Sequence, residues 1–172
     1  SSLGISTGIV VAANAQLTIE TMTNAISDVG NIYMQAGGGY GRIYLTNTLY
    51  ETVFRLYSNG VPLMAGVWGA TGSGCQFTND NFFAGQGVLN VLVGRDLLWD
   101  NNYGTTGAQD GGGPWNTWNS NWWESVSATN VVWNNYARDM AVFGNGGTPG
   151  TISLTNMMVA GGLTKPAADI EG

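Results

Sequence analysis

The sequence predicts a mostly β fold, an antiparallel β-sandwich or jelly roll with one or two short helices near the N-terminal third. Three observations support this prediction. From residue 61 onward, short apolar runs alternate with breaks rich in Gly, Asn and Asp, a spacing typical of many-stranded domains. Hydrophobic residues make up 44% of the 172 residues, which is enough for a buried core. The chain also has 27 Gly, a residue that favours turns.

Residues 14–30 are predicted to form the first element, a helix. Asn14 can cap this helix and Gly30 can end it. The apolar residues between them recur at intervals of four and three, namely Ala15, Ile19, Met22, Ile26 and Val29. The alternative is a strand at 16–21, because apolar and polar residues alternate there and the Thr-rich sequence weakens a helix.

A second short helix is predicted at 49–57, after strands at 32–35 and 42–46. Thr48 and Glu51 have the spacing of a capping box, and apolar residues share one helical face behind them. A strand is the alternative here as well, because Val, Phe and Tyr dominate the segment.

The remaining elements are predicted as strands, with a Gly-rich exposed loop at 101–114. The predicted strands span 61–68, 75–77, 88–93, 97–99, 126–133, 140–143 and 151–159. The pattern G-x-I-x-L-T-N occurs at 41–47 and again at 150–156, which we interpret as two strands entered from glycine turns. We expect one β-rich domain at 14–172, preceded at 1–13 by an N-terminal arm or edge strand.

Low charge is the most unusual property of the composition. Only 9% of residues are charged, against about 25% in typical soluble domains. A surface covered by Asn, Thr, Ser and Gly suits a protein that packs against copies of itself or is exposed outside a cell. The net charge of −6 and five scattered cations argue against nucleic-acid binding and attraction to anionic lipid. No apolar run is long enough for membrane insertion, and the lone Cys75 cannot form an intrachain disulfide.

The chain contains no His, which removes several kinds of catalysis. Ser-His-Asp and Cys-His mechanisms and His-based zinc sites all need an imidazole. Catalysis by two carboxylates, as in a glycoside hydrolase, needs no His and is compatible with this composition. Glu124 lies beside two Trp residues, which could raise its pKa, and Asp110 and Asp139 flank the region. We nevertheless predict a protein that is not an enzyme.

A Trp-rich segment at 115–124 is the predicted ligand or interface site. Flat aromatic faces beside amide groups can hold sugars, and Trp is enriched at protein interfaces. The alternative is that these rings form the core, since a core position is common for Trp. The predicted site consists of Trp115, Trp118, Asn119, Asn121, Trp122, Trp123 and Glu124.

A calcium ion is the only cofactor for which the sequence offers candidate ligands. The Gly-rich loop after residue 99 supplies side-chain oxygens from Asp100, Asn102 and Asp110, which suit a hard cation. The loop lacks the closing Glu of an EF-hand, and a solvated Asn/Gly turn is the preferred interpretation. We therefore expect no cofactor.

The C-terminal third resembles laminin-G-like, concanavalin-type jelly-roll domains. The similarity is carried by a strand, a glycine-rich turn and a second strand at 142–159, followed by Leu163-Thr-Lys-Pro-Ala-Ala-Asp-Ile170. Where that family commonly has a Tyr-Asn-Arg-like triplet, this chain has Ala160-Gly-Gly162. Where the family has a Trp-His-His-like segment, this chain has Trp122-Trp-Glu124. The resemblance implies a jelly-roll architecture and an association with glycan or surface binding.

Two functions follow from these observations. The first is a self-assembling structural protein, such as a virion surface component or extracellular filament subunit, whose partners are copies of itself in a homo-oligomer. The second is a glycan-binding jelly-roll module or phage adhesin. Both predict a location on a virion or an extracellular surface.

Overall fold

The computed structural model describes residues 8–20, 24–46 and 48–165. Their secondary structure consists of strands, turns and bends without a helix, which confirms the mostly β prediction. A helix long and apolar enough to span a membrane is therefore also absent from these residues. The chain divides into two compact units, Ser1–Gly94 and Arg95–Gly172, which are described separately below.

Unit 1 contains three sheets built from short strands. One sheet has the order β1-β3-β6-β7, the second β10-β4-β2 and the third β5-β11-β8-β9. The strands are β1 (Gly8–Val11), β2 (Gln16–Ile19), β3 (Asn31–Met34), β4 (Arg42–Leu45), β5 (Tyr50–Val53), β6 (Arg55–Ser58), β7 (Val61–Pro62), β8 (Gly66–Gly69), β9 (Phe77–Thr78), β10 (Phe83–Gly85) and β11 (Val88–Val91).

Successive passes of the chain stack in parallel register in unit 1. Gly8 aligns with Asn31, and Asn31 with Arg55, at intervals of 23 and 24 residues. Aligned residues face the same side of the sheet because side chains alternate with a period of two. Tyr33 and Tyr57 consequently stack, with ring centroids 4.6 Å apart. This layering resembles the way solenoid repeats cover one another's apolar surface.

The inward-facing residues of these strands form the core of unit 1. Aliphatic side chains with little or no exposure fill it, and the aromatic rings of Phe82 and Phe83 close it. The fully buried aliphatic members are Ile32, Met34, Ile43, Leu45, Val53, Leu56, Leu89 and Val91. Burial of each such side chain contributes about 1.5–3 kcal/mol to folding.

One carboxylate, that of Glu51, is fully buried in unit 1. Its two oxygens accept hydrogen bonds from the backbone N–H groups of Ile26 at 2.9 Å and Ala25 at 3.0 Å. Burial raises the pKa of Glu51, and the bonds from Ile26 and Ala25 counteract this only in part. Glu51 therefore fastens the turn at 24–26 to strand β5.

Unit 2 contains a five-stranded sheet and a two-stranded sheet. The orders are β15-β14-β12-β16-β18 and β13-β17. The strands are β12 (Asp96–Trp99), β13 (Gly113–Trp115), β14 (Trp122–Glu124), β15 (Thr129–Val131), β16 (Met140–Val142), β17 (Ile152–Leu154) and β18 (Gly162–Thr164). Parallel pairs join β12, β16 and β18, and also β13 with β17.

Both predicted helices are wrong. Within 14–30 the chain forms strand β2, and residues 21–23 lie outside the described part. Val29, which belonged to the predicted apolar stripe, is 68% exposed. Residues 49–57 form β5 and β6, and Glu51 binds Ala25 and Ile26 instead of completing a capping box. Parallel pairing with neighbouring passes outweighs a weak local preference in these Thr- and aromatic-rich segments.

The expected antiparallel arrangement is also incorrect for most pairs. Of the thirteen strand pairs among the described residues, nine are parallel and four antiparallel. Residues 1–7 of the predicted arm lie outside the described residues, and Gly8–Val11 is the end strand of its sheet. The expectation of one domain at 14–172 stays a prediction.

Candidate functional site

The Trp-rich segment spans two strands of unit 2 and the loop between them. Strand β13 ends at Trp115 and pairs with β17, whereas β14 begins at Trp122 and lies between β12 and β15. The intervening loop, 116–121, projects Trp118 to the surface, where 62% of it is exposed. The segment therefore supplies both core and surface residues.

Two of the predicted site rings belong to the core, which is the alternative that the sequence left open for them. Trp115 is 6% exposed and Trp122 is fully buried. They pack on each other at 4.9 Å between ring centroids, and each also contacts Trp133 and Phe143. The indole N–H groups of Trp115 and Trp122 have no hydrogen-bond partner. Their neighbours are aromatic rings, whose faces can accept weak N–H···π contacts.

Asparagine side chains shape the loop between these two tryptophans. Asn116 is 2% exposed, and its Oδ1 accepts hydrogen bonds from the backbone N–H groups of Trp118 at 3.1 Å and Asn119 at 2.8 Å. Asn121 is 1% exposed and donates from Nδ2 to the carbonyl of Pro114 at 2.9 Å. Asn residues stabilise turns through such side-chain-to-backbone bonds.

Tyr103 joins the loop from a second segment of unit 2. Its hydroxyl donates to Oδ1 of the buried Asn121, while 57% of the residue is exposed. Tyr103 and Trp118 are thus both solvent-exposed aromatic residues; the Tyr103 hydroxyl bonds to the loop, and the Trp118 backbone N–H bonds within it. We call Tyr103, Trp118 and the half-buried Asn119 the loop surface.

Trp123 and Glu124 are half-buried, on the strand that follows the loop. The Arg95 guanidinium bridges two acids, at 2.5 Å from Glu124 and 2.8 Å from Asp139. Burial alone would raise the pKa of Glu124, but the Ser127 hydrogen bond and the Arg95 charge outweigh it and lower the pKa below its ordinary value of 4.5. A general acid needs the opposite shift, so this carboxylate is arranged for an ion pair.

The three candidate calcium ligands hold the loop that follows β12. Asp100 is fully buried, and its carboxylate accepts bonds from Asn102, Gln109 and Asn130. The carboxylate of Asp110 accepts hydrogen bonds from the backbone N–H groups of Gly144 and Gly147, at 3.0 Å each. Among the described residues, no group of three or more His, Cys, Asp or Glu could hold a metal ion.

A cavity of about 400 Å³ lies in unit 2 beside the buried Trp cluster. Trp99, Phe143 and Ile152 form its apolar wall, and glycine backbone between Asp110 and Gly150 forms much of its rim. None of the seven predicted site residues lines it.

Three residues outside the predicted site also contribute contacts to this region, namely Tyr103, Arg95 and Asn116. Tyr103 lies in a Gly-rich segment that was predicted as an exposed loop, where a single aromatic residue gives little signal. Asn116 does have a local signal, because Asn before a short polar stretch is typical of side-chain-capped turns. The partners of Arg95 lie 29 and 44 residues away, so no local pattern indicates the ion pair.

The chain is similar to part of one much longer curated protein. It is 43% identical over 80 residues to an adhesin autotransporter, BmaC, from Brucella suis biovar 1 (strain 1330). The match covers 45% of the chain and 2% of that protein. No protein-family model matches the chain, and no solved structure matches it.

Proposed function

We propose that the chain is an adhesin-like segment displayed on an extracellular surface, where it binds ligands without chemical conversion. The observation that carries this proposal is the 43% identity to an adhesin autotransporter. The match covers only a small part of that protein, so its relation to the whole adhesin is part of the proposal. Stacked short strands and a charged fraction of 9% suit a surface scaffold.

The loop surface is our candidate for the ligand contact. Tyr103 and Trp118 both expose a large aromatic area, and the bond from the Tyr103 hydroxyl to Asn121 limits the entropy cost of ordering that ring. Asn119 follows Trp118 in the loop and supplies an amide, so the surface suits a glycan, in line with the sequence-based alternative. The laminin-G-like resemblance and the absence of catalysis stay predictions.

Self-assembly remains a second candidate, because a surface with a charged fraction of only 9% suits packing against other copies of the chain. The match to a bacterial adhesin does not support the predicted virion component or filament subunit. Light scattering on a sizing column distinguishes a homo-oligomer from a monomer of 18.1 kDa.

Removal of the loop-surface rings tests the proposal. Beads coated with the purified chain are applied to cultured epithelial cells, and bound beads are counted. We expect the Trp118→Ala and Tyr103→Ala double variant to lose at least about tenfold in binding, since buried aromatic contacts dominate interfaces. Tyr136→Ala is the matched control, because Tyr136 is 93% exposed in the same unit. Equal binding by the double variant and the wild type would remove the loop surface from the proposal.

A further inference from the structure

A second exposed aromatic surface lies in unit 1, far along the chain from the loop surface. Tyr40, Arg42 and Tyr44 are exposed, whereas the alternating residues Gly41 and Ile43 are buried. The three outward side chains thus follow one line along strand β4 and the residues before it. At 3.2–3.4 Å per residue, Tyr40 and Tyr44 are about 13 Å apart along this line.

A column of polar side chains runs beside this aromatic line on the neighbouring pass. Gln16 aligns with Arg42, and Thr18 with Tyr44, in the parallel pair β2–β4. Adjacent strands lie about 4.8 Å apart. Arg42 and Tyr44 therefore have the exposed side chains of Gln16 and Thr18 as neighbours, and Gln16 donates from Nε2 to Oγ1 of Thr18 at 3.1 Å.

Backbone contacts hold both columns in place. The backbone N–H of Arg42 donates to the carbonyl of Ala15 at 2.9 Å, and that of Ile43 donates to the carbonyl of Phe82 at 2.7 Å. The Tyr40 ring also packs edge-on against buried Phe82, with centroids 5.6 Å apart. On the far side Tyr44 aligns with the small Ala84, which leaves space beside its ring. The surface is preorganised for an extended ligand.

The charge on this surface is locally balanced. Arg42 donates from Nη2 to the carbonyl of Asp80 at 2.8 Å. Hydrogen bonds from Thr71, together with the nearby charge of Arg42, lower the pKa of Asp80, so its carboxylate is ionised at neutral pH. With a net charge of −6, the chain has little electrostatic attraction for a polyanion.

We propose that Gln16, Thr18, Tyr40, Arg42 and Tyr44 form a flat binding surface for an extended neutral glycan. The C–H faces of successive sugar rings pack on Tyr40 and Tyr44, as apolar faces do on aromatic rings. The sugar hydroxyls exchange hydrogen bonds with the amide of Gln16 and with the guanidinium of Arg42. This surface belongs to unit 1, whereas the loop surface belongs to unit 2, and they share no residue.

A glycan array that carries neutral, sialylated and uronic-acid oligosaccharides tests this proposal with the full chain. We expect binding to extended neutral glycans, followed by titration of the strongest neutral ligand against variants. The Tyr40→Ala and Tyr44→Ala double variant is expected to bind at least about tenfold more weakly. Tyr44→Phe keeps the ring and should retain binding.

Tyr50→Ala is the matched control, since Tyr50 has the same 48% exposure as Tyr40 and lies on β5 of the same unit. Each variant must keep the wild-type urea midpoint, so that unfolding is not read as lost binding. The proposal is overturned if the chain binds no neutral glycan on the array or binds anionic glycans alone. It is also overturned if the double variant binds as tightly as the wild type. If Trp118→Ala leaves cell binding unchanged while the Tyr40 and Tyr44 substitutions weaken glycan binding, only the loop-surface proposal fails.

Discussion

Three tryptophans of the segment at 115–124 lie in different environments. Trp115, Trp118 and Trp122 have similar sequence neighbours, yet only Trp118 is exposed. Strand pairing on both sides places Trp122 between β12 and β15, whereas Trp118 lies in a loop held by Asn116. The sequence therefore located the aromatic region but could not separate its structural rings from its exposed one.

Glu51 gives a prediction at the residue scale. In Glu51→Gln an amide N–H₂ replaces one carboxylate oxygen, so one of the donors at Ala25 and Ile26 loses its acceptor. We expect the free energy of unfolding to fall by about 1–3 kcal/mol in urea denaturation. Glu20→Gln is the control, because Glu20 is exposed, and should change stability by less than about 0.5 kcal/mol.

The pH dependence of the same residue gives a separate test. Because the pKa of Glu51 is raised in the folded state, the folded protein holds this proton more tightly than the unfolded chain. Its contribution to stability is present below pH 4.5 and is lost as pH rises through the higher folded pKa. The free energy of unfolding of the wild type should therefore fall relative to that of Glu51→Gln as the pH rises over that window. A constant difference would contradict the raised pKa of Glu51.

At the scale of elements, the repeated pattern G-x-I-x-L-T-N has a shared structural cause. Both copies contain a strand, β4 in unit 1 and β17 in unit 2. In each, the leading glycine lies against the backbone of an earlier pass: a Cβ on Gly41 would overlap the Val11 carbonyl, and one on Gly150 would overlap Gly112. The two leucines differ, since Leu45 is buried and Leu154 is 63% exposed. The pattern thus predicts strand entry but not burial.

Substitution of Gly41 tests this close approach. Gly41→Ala should lower the free energy of unfolding by about 1–3 kcal/mol, the usual cost of overpacking. Gly37→Ala is the matched control, because nothing lies within 4 Å of a Cβ at that position. Urea midpoints compare the two variants. Equal midpoints would show that strands β1 and β4 are further apart than described.

The direction of strand pairing could not be predicted from the element pattern. Alternation with a period of two is the same in parallel and antiparallel strands, so it locates strands without giving their partners. Predicted strands at 32–35, 42–46, 88–93, 97–99 and 140–143 therefore agree with the structure to within a few residues. Their partners lie 19 to 44 residues away, and only the three-dimensional structure identifies them.

At the scale of the whole molecule, each unit combines a packed interior with exposed aromatic residues on short, well-anchored segments. Unit 1 has an aliphatic core and the Tyr40–Tyr44 line, while unit 2 has a Trp-rich core and the loop surface. With a charged fraction of 9%, neither surface relies on strong electrostatics.

The most direct test of an adhesin-like function is adhesion by a cell that displays the chain. A non-adherent bacterium that carries it on its surface is incubated with epithelial cells, and attached bacteria are counted. We expect attachment well above that of the same bacterium without the chain. We also expect a loss of attachment when Tyr40, Tyr44, Tyr103 and Trp118 are all changed to Ala. Attachment no greater than that of the bacterium without the chain, despite correct display, would contradict an adhesin-like function.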